Sequence, residues 1–78
     1  MIEQAKELKP LLLPIEDAGL LLGMSARALR RADQCGKVPS PVRIGRNVRW
    51  RAEELVAWCN AGCPDRQTWE SMRELNNG

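Results

Sequence analysis

Eight basic residues fall between positions 25 and 51: Arg27, Arg30, Arg31, Lys37, Arg43, Arg46, Arg49 and Arg51. One acid, Asp33, lies among them. A guanidinium is planar, permanently charged and presents its N–H donors as a fork, so its chemistry is the gripping of phosphates and the reading of guanine edges. The stretch carries a net +7, and because the whole chain carries +2, the remainder carries −5. Solvated surfaces usually mix their signs, so this segregation points to a surface for a polyanion. Other chemistry is poorly served. Histidine is absent, which removes imidazole acid–base catalysis and imidazole metal ligation together. Cys59 and Cys63 are spaced C-x3-C with no second pair, a poor zinc pattern. With Cys35 they are expected to be reduced, partly buried thiols acting as small hydrophobes. No nucleophile–base pair or metal set can be assembled. The expectation is a non-enzymatic chain with no cofactor, no metal and no small-molecule substrate.

The basic residues need elements to hold them. Residues 25–34, SARALRRADQ, read as a short helix at about 100° per residue. Ala28, Leu29 and Ala32 gather on an apolar back; Arg27, Arg30, Arg31 and Gln34 form the front. Ser25 is placed to cap the first turn, and Gly36 suits a left-handed end after the last. Ahead of it, residues 15–22 read as a first helix opened by Pro14. Glu16 and Asp17 lie in its first turn, where carboxylates suit the helix dipole. Ala18, Leu21 and Leu22 supply its expected buried face. Gly23-Met24-Ser25 then makes a tight corner, giving helix, turn, helix with an exposed basic front.

Beyond Gly36 the texture changes to apolar and basic residues in alternation. Val42 to Arg51 reads as a β-hairpin with Gly45-Arg46-Asn47 as a three-residue loop. That register sets Ile44 against Val48, Val42 against Trp50 and Arg43 against Arg49. All four apolar residues then share one face, and two like charges confront each other on the other, a local cost of about 0.2–1 kcal/mol. Residues 52–61 read as a third helix with Leu55, Trp58 and Cys59 inward and Glu53 and Glu54 in its first turn. Trp50 and Trp58 fit core positions better than base-stacking platforms. A last helix is expected over residues 66–75, capped by Asp65, with Trp69, Met72 and Leu75 as its apolar stripe.

At 78 residues the chain is expected to form one small domain, which buries only about 60% of its unfolded surface and leaves little room for a deep pocket. The expected organisation is a flexible segment over residues 1–10, a folded domain over 11–62 and a helical extension with a disordered tail over 63–78. Leu11, Leu12 and Leu13 are expected in the core as an extended arm. No apolar run approaches the ~20 residues of a membrane span, and the N-terminal residues lack a secretory apolar region. The expected compartment is the cytoplasm, with no membrane partner.

Taken together, LLLPIEDAGLLLGMSARALRRADQCGKVPSPVRIGRNVRWRAEELVAWC, residues 11–59, resembles the excisionase-like and AlpA-like small helix-turn-helix proteins of phages and mobile elements, relatives of the MerR-type winged-helix domains. The resemblance is carried by the leading leucine run, EDAGLLLGMS, SARALR, GKVP, RIGRNVRW and EELVAW in that order. It departs at Pro14, where such proteins often have Ser or Thr. It implies a mostly α fold with a small β-hairpin, a MerR-like winged helix-turn-helix. The helix from Ser25 would enter the major groove of double-stranded DNA, and the hairpin would act as a wing on the backbone or minor groove. It places Ser25, Arg27, Arg30 and Arg31 at the groove with Lys37 and Arg43 nearby, Arg46 and Asn47 at the wing tip and Arg49 along the wing. Gln34, one turn further along the helix, is a weaker candidate.

The expected function is sequence-specific double-stranded DNA binding by a small transcriptional regulator or a phage-type excisionase, with itself on DNA or an integrase as further partners. Arg27 is the expected base reader, Arg43, Arg46 and Arg49 the positioning contacts. The alternative is a protein-interaction adaptor using the basic face and the Trp69/Met72 stripe.

Overall fold

The computed structural model describes residues 8–77. The flexible segment expected over residues 1–10 therefore lies outside the described residues up to residue 7; Leu8, Lys9 and Pro10 are exposed and have no regular structure. The fold is mostly helical with a small antiparallel sheet: β1 (Leu12–Leu13), α1 (Ile15–Leu22), α2 (Ala26–Gln34), β2 (Val42–Ile44), β3 (Asn47–Arg51), α3 (Ala52–Asn60) and α4 (Arg66–Asn77). Among the described residues no helix is long and apolar enough to cross a membrane.

The leucine arm is a strand, and β3 lies between it and β2 in the sheet. Leu13 pairs with Trp50 and Leu12 with Arg51. The three leucines do not all enter the core: Leu13 is buried, Leu12 points to the other face of the strand and is only partly buried, and Leu11, ahead of the strand, is 74% exposed.

In α1 the apolar face is rotated from the expected one. Ala18 and Gly19 are buried, Leu22 packs against the core, and Leu21 is half exposed. The cause is the corner that follows. The Met24 N–H donates to the Gly19 carbonyl at 2.7 Å, and a Cβ at position 19 would stand only 2.6 Å from the Met24 carbonyl oxygen. The contact face is therefore centred on the smallest residue of the helix. Gly23, with φ 73°, adopts the left-handed cap that lets the chain turn.

Ser25 caps α2 as the sequence indicates, its Oγ accepting the Ala28 N–H at 3.0 Å. Leu29 is fully buried and Ala32 packs against the core, whereas Ala28 is exposed. Gly36, at φ 70°, ends the helix in the left-handed conformation expected of it.

The hairpin differs from expectation by one residue. Its turn is Gly45-Arg46 alone, and Val42 opposes Arg49, Arg43 opposes Val48, and Ile44 opposes Asn47. Gly45 has φ 61°, which suits a two-residue hairpin turn with glycine first. A one-residue slip exchanges the faces. Val48 and Trp50 remain on the core side, but Ile44 is 57% exposed. Arg43 and Arg49 are not cross-strand partners, so the expected like-charge confrontation does not exist.

Trp50, Trp58 and Trp69 join Leu13, Ala18, Leu29, Val38 and Leu55 in one buried cluster. Each indole N–H has a partner, as buried indoles require: Pro39 O at 3.0 Å, Pro64 O at 2.7 Å and Glu54 Oε2 at 2.9 Å. The expected burial of Trp50 and Trp58 holds. Cys59 does not share it, since all three cysteines are exposed and the inward positions of α3 are taken by Leu55 and Trp58.

Asp65 caps α4 through the Thr68 N–H at 2.9 Å. The helix continues through Asn77, past the expected end at residue 75; residue 78 lies outside the described residues. Trp69 and Met72 pack inward, and Leu75 does not, at 82% exposure. The Trp69/Met72 stripe thus packs back on the domain, the more ordinary of its two expected uses, and is not offered to a partner as the adaptor alternative requires.

Candidate nucleic-acid interface

The turn at Gly23 and the cap at Ser25 project α2 from the body with its polar side outward. Ser25, Arg27, Arg30, Arg31, Gln34 and, just past the helix, Lys37 are all exposed. On the regular helix Arg27, Arg30, Arg31 and Gln34 share one polar face, and a hollow lies on each side of it. Arg30 and Gln34 border a cleft of about 480 Å³ between α2 and the hairpin, joined there by Arg43, Arg46 and Arg49. Ser25, Arg27, Arg31 and Lys37 border a second concavity of about 550 Å³ on the other flank, floored by Ala28 and Ala32. Helix α2 is thus a ridge with basic residues along both sides.

Register explains how the hairpin contributes. Arg43 opposes Val48 and so shares the sheet face that carries Val48 and Trp50 toward the core. It is nevertheless exposed and borders the cleft. Arg46 is in the turn. Arg49 opposes Val42; it is half buried, and its Nη1 donates to the Val48 carbonyl at 2.9 Å. Asn47 begins β3, opposite Ile44, and is exposed. It does not border the cleft. Arg51 stands apart, bordering a different hollow with Glu53 and Glu54.

The charges of this region are largely uncompensated. The ion pairs among the described residues are Arg66–Asp33 at 2.6 Å and Arg73–Glu54 at 2.8 Å. None of Arg27, Arg30, Arg31, Lys37, Arg43, Arg46 or Arg49 takes part. Two acids do reach the α2–hairpin cleft, Glu16 at its rim and Asp33. Asp33 is the one already held by Arg66. That pairing joins residues 33 positions apart and has no local signature, so the charge pattern alone gives no sign of it.

The remaining titratable features lie elsewhere. Partial desolvation of the sulfur and the neighbouring Cys63 thiol push the exposed Cys59 thiol above its ordinary range. The Thr68 N–H holds the Asp65 carboxyl below its own. Among the described residues no group of three or more acids and cysteines is placed to hold a metal ion. What the α2 region offers chemically is a set of forked donors around a ridge, suited to anions spaced along a backbone. No family model, curated protein or solved structure matches the chain.

Proposed function

We propose that the chain binds double-stranded DNA as a winged helix-turn-helix protein, with α2 in the major groove and the β2–β3 hairpin as the wing on the backbone or minor groove. The observation that carries this reading is the cleft in which Arg30 of α2 meets Arg43, Arg46 and Arg49 of the hairpin, with none of the four in an ion pair. Further basic residues, Arg27, Arg31 and Lys37, lie along the opposite flank of the same helix. A ridge with donors on both sides fits a groove walled by two phosphate backbones.

Roles follow from position. Arg27, in the first turn of α2, is the base reader, because residues at the start of such a helix reach base edges. Arg30 and Arg31 reach bases or phosphates. Ser25 caps the helix first; its second role is a phosphate contact at the helix N-terminus. Arg43, Arg46 and Arg49 hold the backbone and set orientation, with Lys37, Gln34 and Asn47 as lesser contacts. Such a protein serves as a small transcriptional regulator or a phage-type excisionase, acting with a second copy on DNA or with an integrase.

Fluorescence anisotropy with a labelled duplex of mixed sequence tests the reading. The wild-type chain should bind at low salt, and the triple variant Arg30→Gln, Arg43→Gln, Arg46→Gln should bind at least about tenfold more weakly. Equal affinity of a folded triple variant and the wild type would remove the cleft from the interface.

A further inference from the structure

Asp33 is the only acid within the basic stretch of residues 25–51, and it borders the same cleft as Arg30, Arg43, Arg46 and Arg49. A carboxylate there opposes an arriving phosphate. It also competes for the nearest guanidinium: Arg30 lies three residues earlier on the same helix, within reach of a side-chain pair. In the structure it pairs instead with Arg66, which comes from α4. One Arg66 nitrogen, Nη2, donates to Asp33 Oδ1 at 2.6 Å and to the Asp33 main-chain carbonyl at 3.1 Å. The Nε donates to the Val38 carbonyl at 3.0 Å. The Arg66 N–H donates to the Gly36 carbonyl at 2.9 Å. The guanidinium is therefore anchored on main-chain atoms at the end of α2, where the helix dipole also favours a cation.

We infer that Arg66 is a positioning residue for the DNA-binding surface, keeping Asp33 neutralised so that Arg30 and the hairpin arginines remain free for phosphate. The inference rests on the DNA-binding reading and assigns a part in it to α4, outside the basic stretch. A purely structural clamp would act through the carbonyls of residues 33 and 38. A neutralising clamp acts through the carboxylate, and the two are separable.

The test is a set of four proteins titrated with one labelled mixed-sequence duplex across a salt series: wild type, Arg66→Gln, Arg66→Lys, and Arg66→Gln combined with Asp33→Asn. Thermal melts establish that each is folded at the assay temperature. Arg66→Gln should weaken binding about fivefold at low salt and reduce the log K against log salt slope by about one phosphate equivalent. Adding Asp33→Asn should restore both, although it returns no contact to the main chain. Arg66→Lys keeps the charge and should retain the wild-type slope even if Arg66→Gln proves unfolded. A double variant that stays as weak as Arg66→Gln, or an Arg66→Lys protein with the reduced slope, overturns the inference while wild-type binding keeps the DNA reading intact. Failure of the wild type to bind removes both.

Discussion

Ser25 does local work before it can touch a ligand. Its hydroxyl oxygen is engaged by the Ala28 N–H, so Ser25→Ala should lower unfolding free energy by about 1 kcal/mol in chemical denaturation. Arg27 and Arg49 are a more discriminating pair, because one stands on α2 and the other in the β2–β3 hairpin. Arg27→Ala should relax base preference at one position of a selected duplex library by about 1–3 kcal/mol. Arg49→Ala should weaken all sequences to a similar degree, as a backbone contact does. Two variants with the same base preference would contradict that division. The charged residues were legible from type and spacing alone. The state of Asp33 was not, because its partner is 33 residues away and no periodicity links them.

At the scale of elements, what was legible is what is local. Ser25, Gly23, Gly36 and Asp65 act within one turn of where they stand, and the helix boundaries they mark agree with the structure to within two residues. What was not legible depends on a neighbour. The inward face of α1 is set by the approach of the Met24 carbonyl to Gly19, which displaces Leu21 outward. Gly19→Ala should therefore destabilise by about 1–3 kcal/mol, read as a lowered denaturation midpoint, although alanine is the better helix former. The hairpin register depends on a single residue of turn length. Because Ile44 is exposed and Val48 packs against the core, Ile44→Ala should change stability by no more than about 0.5 kcal/mol. Val48→Ala should cost distinctly more. Similar costs for the two would support the three-residue loop, which puts both side chains on the core face.

The cap of α4 carries a pH dependence of known sign. The Asp65 carboxyl titrates lower in the folded chain because it accepts the Thr68 N–H. Its contribution is therefore complete above the ordinary aspartate range and is lost as pH falls through the folded value. Melting temperatures followed from neutral to acidic pH should show this loss in the wild type. It should be diminished in Asp65→Asn, which keeps the capping oxygen without the titration.

Across the whole molecule, the three tryptophans tie the sheet, α3, α4 and the proline segment into one core. Removing the Trp50 indole N–H by Trp50→Phe leaves the buried Pro39 carbonyl without its donor and should cost about 1–3 kcal/mol. The core also sets the relative placement of α2 and the hairpin, because Leu29 and Trp50 are both members of it. Carried on one core, the basic residues of α2 and of the hairpin can act as one electrostatic surface toward the proposed DNA. The most direct measurement is the affinity of the wild-type chain for duplex DNA over a salt series. With about 5–8 phosphates engaged, log K should fall linearly with log salt at a slope of about −4 to −7. A slope near zero, or no binding at low salt, would contradict the account.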